Sequence, residues 1–289
     1  MPEITLAGRQ PFSLSLSLFS GQVFYWEKSG NAFQGDVLGD YATVGYDGKD
    51  KKIFFEGTTK GKIVEFFDLE TDYFAIEKKL CCTDPFFSPL VTDYSGLRIL
   101  RQDPWQAAVS FVVSQNNNIP RIRKILGAMR EKFGAKTGRP SADSSAVYSF
   151  PTADALASAP ISSLSSTGLG YRAPYIKSLA RAVVEGSIDF SELSKMDYFV
   201  AQKTLVCVHG VGPKVADCIL LYGLHNTGAF PADVWVRRAM VRHYKEELAG
   251  FSYEKKSKPK EPSYRLIGDF AREKFGDKAG YAQQLLFVS

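Results

Sequence analysis

Apolar and polar positions change their period about a third of the way along the chain. Up to about residue 98 they alternate, as on a strand with one buried face. "FSLSLSLF" (12–19) places Leu14, Leu16 and Leu18 on one face and serines on the other, which predicts a strand. "GQVFYW" (21–26), "YATVGY" (41–46) and "KKIFFEG" (51–57) read as further strands, with Asp47-Gly48 as a hairpin turn. Together they predict an antiparallel sheet. Beyond that point the period is helical. "DPWQAAVSFVVSQ" begins with Asp103 as N-cap and Pro104 at the first helical position. "NIPRIRKILGAMREKFG" is amphipathic and closes on Gly134. "APYIKSLARAVVEG" and "DYFVAQKTLVCV" repeat the theme, and "SADSSAVYSFPTADALASAPISSLSS" (141–166) joins helices, with room for short helices of its own. The fold class expected is α+β, an N-terminal antiparallel β-sheet domain over 1–98 followed by an all-α domain over 99–289.

Composition adds bounds rather than a function. The chain has 289 residues, 45% of them hydrophobic, enough to bury a substantial core. A net charge of +5 tilts only mildly toward a polyanionic partner. The cysteines, Cys81, Cys82, Cys207 and Cys218, have neither the C-x-x-C spacing of a zinc or redox site nor the ligand set of an iron–sulfur cluster. The N-terminus lacks the basic region and long apolar run of a secretory signal. No stretch approaches the roughly 20 apolar residues that span a bilayer. The expectation is a soluble, intracellular protein. "EKKSKPKEPS" (254–263) reads as a solvated surface loop.

The stretch richest in chemistry is "KTLVCVHGVGPKVADCILLYGL" (203–224). A helix runs into His209-Gly210-Val211-Gly212, and a second helix starts at Pro213, so a hairpin is expected over about 196–224. Glycines at 210 and 212 permit a tight turn, and bare N–H groups at Gly210, Val211 and Gly212 beside a helix start suit a phosphate. Lys214 sits in the first helical turn, where the macrodipole disfavours a cation and so favours the neutral, nucleophilic amine. A lysine that simply grips phosphate is the alternative. Asp233, in "AFPADVWVRRAMVRHY", is a natural N-cap that could also accept a proton or steady cationic charge.

"HGVGPKVADC" followed by "FPADVW" resembles the helix-hairpin-helix, Gly-Pro-Asp motif of DNA glycosylases, and the lysine-bearing form resembles the 8-oxoguanine DNA glycosylases. "SGQVFYW", "LRILRQDPWQ", "SQNNNIPRI", "GLGYRAPYI" and "GYAQQLLF" resemble further signatures of that family in the right order. The resemblance implies a β domain and a two-lobed helical domain with the active cleft between the lobes. It also implies that the damaged nucleotide is flipped out of duplex DNA containing 8-oxoguanine. Lys214 would attack the sugar C1′, form a Schiff base and allow β-elimination, with Asp233 in support. Gly21 would accept from N7–H of the oxidised base, Cys218 and Phe287 would sandwich it, and Gln283 would read its Watson–Crick edge. Asn116, Arg121 and Arg172 would contact the orphaned cytosine, and Tyr171 would wedge the duplex. The carbonyls of Val206, Val208 and Val211 match a backbone cation site of such hairpins. No organic cofactor is implied, and a monomer without membrane attachment is expected, DNA-associated in cytoplasm, nucleoid or nucleus.

The sequence departs from the family at Trp235, where a histidine near the 5′ phosphate can stand, at His209 for a proline, and at Ala232 for a valine. Two rival readings are a glycosylase for another damaged base and a non-catalytic protein that uses the hairpin only to hold DNA. Lys214 and the cysteine spacing argue against alkylation-type and iron–sulfur relatives respectively. With both Arg121 and Arg172 present, excision should strongly favour cytosine opposite the lesion. Single-turnover rates on duplexes with each of the four opposing bases check this, and equal rates would refute it.

Overall fold

The computed structural model describes residues 2–8, 10–140, 146–254 and 262–289. Five strands form one antiparallel sheet: β1 (Glu3–Thr5), β2 (Glu27–Ser29), β3 (Ala32–Val37), β4 (Asp40–Asp47) and β5 (Lys52–Glu56), in the order β1-β5-β4-β3-β2. Asp47 turns the chain between β4 and β5, its carboxylate accepting from the N–H of Lys49 at 2.9 Å. The expected strands at 41–46 and 51–57 are therefore present as β4 and β5.

The alternating "FSLSLSLF" is not a strand. It forms the helix α1 (Leu14–Phe19), capped by Ser13, whose hydroxyl accepts from Leu16 N–H. A Leu-x-x-x-Leu spacing fits both periods, since residues four apart share a face on a helix as well as on a strand. Leu14 and Leu18 fill the sheet core, Leu16 turns toward the helical core, and the buried Ser17 hydroxyl donates to Ser13 O at 2.8 Å. "GQVFYW" is not a strand either, for pairing begins only at Glu27. Val23 and Trp26 enter the sheet core while Phe24 enters the helical core, so this segment is buried on both sides as a seam. The 97–102 segment is used likewise: Leu97 and Ile99 face the helical core, and Leu100 faces the sheet core.

Helices α2 (Lys60–Phe66), α3 (Tyr73–Thr83) and α4 (Phe87–Asp93) lead from the sheet into the helical part. There α5 (Pro104–Ser114) starts on its Asp103 cap, with Gln106 N–H donating at 2.8 Å, and α6 (Ile119–Phe133) runs from an Asn118 cap to Gly134. The Ser/Ala/Pro-rich stretch holds the short helices it has room for, α7 (Ala153–Ser158) and α8 (Ile161–Leu164), after a strand not expected there, β7 (Ala146–Tyr148), which pairs with β6 (Lys136–Pro140) just before the stretch. Then come α9 (Ala173–Val184), α10 (Phe190–Leu193), α11 (Tyr198–Val206) and α12 (Pro213–Cys218), the last extended by a wider turn over Ile219–Gly223. The chain ends with α13 (Val234–His243), α14 (Lys245–Glu254), α15 (Tyr264–Phe275) and α16 (Ala279–Val288). Most of the 254–263 loop lies outside the described residues. No helix among the described residues is long and apolar enough to cross a membrane.

The seam is polar at one point, around the Asp68 carboxylate and the Arg98 guanidinium. Asp68 receives Arg101 Nη2 at 2.8 Å, the Tyr73 hydroxyl at 3.0 Å and His225 Nε2 at 3.3 Å. Arg98, fully buried, donates to the carbonyls of Asp68 at 3.0 Å and Pro11 at 2.8 Å. Burial works to raise the Asp68 carboxyl, but the His225 hydrogen bond and charge, Arg101 and the Thr71 hydroxyl outweigh it and hold it down at about 2. A depressed carboxyl stabilises the fold above its unfolded range and loses that contribution as pH falls toward the folded value. Asp68 should therefore contribute about 2 kcal/mol that is complete above about pH 4 and fades toward pH 2. Urea unfolding of the parent and Asp68→Asn between pH 2 and 6 checks this. The gap should close in acid, and a pH-independent gap would refute it.

Candidate active site

The hairpin turn is shaped by one glycine above the rest. Gly210 takes φ +92°, and a Cβ there would lie 2.2 Å from the Tyr175 ring. Gln115 Nε2 donates to the Gly210 carbonyl at 2.9 Å, fixing the turn against the end of α5. Val211 N–H donates to Val208 O at 2.9 Å and closes the loop, so this carbonyl of the expected cation site already serves the turn. Val206 ends α11, and Gly212 caps α12 in extended geometry with Pro213 at the first helical position. A buried network braces the two helices from behind. Tyr198 OH and Gln202 Nε2 donate to Asp217 Oδ1 at 2.7 and 2.6 Å, and Arg272 Nη1 donates to Tyr198 OH at 2.7 Å. Burial pushes the Asp217 carboxyl up to about 6, against the opposing pull of Tyr198, Arg272 and Gln202.

A cavity of about 480 Å³ opens in front of α12, lined by Lys214, Cys218, Asp233, Gly21, Gln283 and Phe287 among others. Six residues expected to act together, drawn from four separate stretches of chain, thus line one cavity. Lys214 is half-buried, with its ammonium 5.5 Å from the centre of the Phe111 ring. Asp233 caps α13 as expected, accepting from Val236 N–H at 2.8 Å. That bond holds the carboxylate in place among the cavity's lining residues.

Gly21 is required twice over. Its φ is +82°, and an added Cβ would stand 2.6 Å from the Phe287 ring. Its neighbours are anchored on both sides, for Gln284 Nε2 donates to Ser20 O at 2.7 Å and Gln102 Nε2 donates to Gln22 O at 2.9 Å. The Gln22 amide itself donates to Arg98 O at 2.7 Å and accepts from Leu100 N–H at 2.9 Å. Gln283 is buried, with its Oε1 accepting from Tyr222 OH at 3.1 Å, and Tyr222 stacks on Phe111 at 5.1 Å.

Tyr222, Phe111 and Phe24 are cavity residues that the sequence reading missed. Tyr222 was discoverable, because it follows Cys218 by four residues as Cys218 follows Lys214, along one helical stripe. Phe111 and Phe24 read simply as core. Trp235 also lines the cavity mouth.

The second group gathers around residues 115–118 rather than in the cavity. Asn116 is exposed with φ +47°, and Tyr171, 52% exposed, donates its hydroxyl to Gln115 O at 3.2 Å. Arg172 is only 2% exposed: its Nε donates to Gln115 O at 2.8 Å and its Nη2 to Asn116 O at 2.8 Å. Its guanidinium, 4.4 Å from the centre of the Tyr171 ring, is committed here to holding the loop. Arg121, in the first turn of α6, is exposed. A line of rings, Tyr171–Tyr175 at 5.9 Å and Tyr175–His209 at 4.9 Å, connects this loop to the hairpin.

Cys218 is fully enclosed, and burial pushes its thiol up to about 11, opposed by the charge and hydrogen bond of Lys214. It therefore remains a neutral thiol beside the amine through the physiological range. Alkylation needs the thiolate, so iodoacetamide at pH 8 should leave Cys218 unmodified while exposed Cys82 and Cys207 react. Peptide mass mapping checks this, and Cys218 labelled as fast as Cys207 would refute it.

The comparisons with known proteins agree with this arrangement. The description "HhH-GPD superfamily base excision DNA repair protein" matches residues 109–254, and "8-oxoguanine DNA glycosylase, N-terminal domain" matches residues 5–107. The N-glycosylase/DNA lyase OGG1 of Arabidopsis thaliana is 29% identical, over 96% of this chain and 77% of that protein. A probable N-glycosylase/DNA lyase of Methanothermobacter thermautotrophicus is 31% identical, over 80% of this chain and 74% of its own. The 8-oxoguanine glycosylase/lyase of Clostridium acetobutylicum, solved with double-stranded DNA containing cytosine opposite 8-oxoG, superposes with a TM-score of 0.84 at 31% identity, covering 97% of this chain and 95% of that one. With both matched regions spanning the sheet and the hairpin that frame the cavity, the chain belongs to the HhH-GPD superfamily of base excision DNA repair proteins.

Proposed function

We propose that this protein is a bifunctional DNA glycosylase and lyase that excises 8-oxoguanine from duplex DNA. The observation that carries the reading is the convergence of Lys214 and Asp233 on one chamber whose other wall is Gly21, Cys218, Gln283 and Phe287. An amine and a carboxylate alone would suit many reactions. A chamber of aromatic faces with a carboxamide and a glycine backbone at its edge suits a planar, polar-edged base.

In the proposed reaction the extruded nucleotide enters the cavity and the neutral Lys214 amine attacks C1′. The C1′–N9 bond breaks, its electron pair leaves with the base, and the base is protonated. Asp233 offsets the positive charge that develops on the sugar, acting in a partly desolvated site where such charge matters most. The nitrogen loses its protons as the sugar ring opens, giving a Schiff base between Lys214 and C1′. Loss of a C2′ proton then expels the 3′ phosphate by β-elimination. Cys218, kept as a thiol, packs on the base without competing as a nucleophile, with Phe287 on its other face. Gly21 supplies the carbonyl for N7–H and Gln283 the amide for the Watson–Crick edge.

On the complementary strand, Asn116 and Arg121 contact the orphaned base, Arg172 joins them only by releasing the Gln115 and Asn116 carbonyls it now holds, and Tyr171 takes the space that the lesion vacates. The N–H groups of Gly210 and Gly212 hold a phosphate of the lesion strand, while Val211 N–H stays on Val208 O inside the turn. The Val206, Val208 and Val211 carbonyls belong to the same turn, where a bound cation would add positive charge beside that phosphate. The protein works as a DNA-associated enzyme inside the cell.

Borohydride should trap a covalent complex between the protein and a duplex carrying 8-oxoguanine opposite cytosine. Lys214→Gln should abolish trapping and lower single-turnover excision by about 10³-fold or more. No trapped complex with the parent would favour a DNA-holding protein without chemistry. Trapping that persists in Lys214→Gln would move the nucleophile elsewhere.

A further inference from the structure

Trp235 is the most exposed large apolar side chain among the described residues, 67% open to solvent. The other two tryptophans, Trp26 and Trp105, are enclosed or half-buried, and Trp105 spends its Nε1–H on Pro151 O at 2.8 Å. A single exposed apolar residue is ordinary on a protein surface. The placement of this one is not ordinary. It stands on the lip of the cavity that holds Lys214 and Asp233, and Ile119, itself 38% exposed, lines the same cavity from the start of α6.

A cation is parked on the indole. Arg238, one helical turn further along α13, holds its guanidinium 5.1 Å from the centre of the Trp235 ring. Arg238 is exposed, and among the described residues no carboxylate pairs with it. The adjoining Arg237 differs, since its Nε donates to Pro262 O at 3.1 Å. Stacking on an aromatic face pre-organises a guanidinium without using its N–H donors, which stay directed outward for a partner.

The first turn of α13 could not hold an anion unaided. Asp233 already occupies the helix start, taking the Val236 N–H and placing a negative charge there. An anion near this lip needs a separate cation, and Arg238 supplies one a turn away from the carboxylate. An apolar plate beside an outward-facing guanidinium matches the alternating chemistry of a nucleic-acid backbone, sugar and then phosphate.

We propose that Trp235 and Arg238 form a backbone clamp for the nucleotide adjoining the extruded one, with the indole against its deoxyribose and the guanidinium on its phosphate. The proposal rests on DNA being the partner, as argued above. The extruded nucleotide remains covalently joined to its neighbours, so the adjoining sugar and phosphate must pass over the cavity lip. The clamp would hold the strand's path while the lesion occupies the pocket.

The test uses the full chain and a duplex carrying a tetrahydrofuran abasic analogue opposite cytosine, so that binding is read without chemistry. Affinity is measured by fluorescence anisotropy between 50 and 300 mM KCl. Arg238→Gln should weaken binding about tenfold at low salt and reduce the slope of log K against log salt by about one. Trp235→Ala should weaken binding about tenfold and lose part of that slope, because the guanidinium loses its platform. Trp235→Phe, which keeps an aromatic face, should recover most of both. Lys52→Gln, on the sheet and paired with Glu3 at 2.9 Å, should keep the parent's slope. Intrinsic fluorescence gives a second reading: DNA should quench the parent's emission, and Trp235→Phe should lose that quench. Parent-like affinity and slope in Trp235→Ala and Arg238→Gln, or parent-like quenching in Trp235→Phe, would overturn the clamp. Borohydride trapping by the parent separates the two ideas. A parent that traps 8-oxoguanine DNA while both variants bind normally defeats the clamp alone, and loss of slope in both variants of a parent that does not trap supports the clamp and defeats the lyase.

Discussion

Gln284 crosses the seam between the C-terminal helix and the N-terminal segment, and much of the cavity depends on that one buried carboxamide. Its Nε2 donates to Ser20 O at 2.7 Å, and its Oε1 accepts from the Tyr222 hydroxyl. It therefore joins three distant parts of the chain: the loop that carries Gly21, the helix that carries Lys214 and Cys218, and the helix that carries Gln283 and Phe287. Each bond contributes about 1 kcal/mol, but leaving either end of a buried amide unpaired costs about 1–3 kcal/mol. The penalty for breaking the joint exceeds the gain from making it, so the register of these elements is held more firmly than the bond energies alone suggest. Gln22 repeats the device on the sheet side, its side chain bonding Arg98 O and Leu100 N–H as a neighbouring strand would.

That rigidity is what the role proposed for the Gly21 carbonyl, accepting from one N–H of the base, would require. The backbone at residue 21 has no side chain to steer it, and its left-handed φ would be free to relax without its anchored neighbours. Phe287 completes the constraint, for its ring lies where any Cβ would fall. Around this fixed edge the chamber is walled by the rings of Phe24, Phe111, Tyr222 and Phe287. Such a lining keeps the Cys218 thiol neutral and strengthens any electrostatic interaction between Asp233 and a developing positive charge.

The chemistry of the hairpin was legible in the sequence because backbone punctuation announces it. Gly210, Gly212 and Pro213 admit few conformations, and Asp103 and Asp233 sit at helix starts with the side chain that a start requires. Alternation was less reliable. Leu14, Leu16 and Leu18 satisfy a period of two and also place Leu14 and Leu18 one helical turn apart, and Ser13 as a cap decides between the two. At Gln22–Trp26 apolar content overstated pairing, since a seam segment buried on both sides needs hydrophobic residues without needing a strand partner. Arg172 shows a different limit. Sequence gives a charge but not its direction, and here the guanidinium turns inward onto the carbonyls of Gln115 and Asn116.

The hydrogen-bond inventory around Tyr222 separates the roles of two adjacent glutamines. A phenol has one proton, and the carboxamide oxygens of both Gln283 and Gln284 approach it. Burial pushes the Tyr222 phenol well above its usual range, so that proton stays in place and cannot be removed to ease the competition. Gln284 is fixed at both ends, its nitrogen on Ser20 and its oxygen on Tyr222. Gln283 has only the shared contact at 3.1 Å, and its remaining hydrogen-bonding capacity faces the cavity it lines. Consecutive residues on one helix thus divide the work: Gln284 secures the frame, and Gln283 remains adaptable to the donor and acceptor pattern of whatever enters.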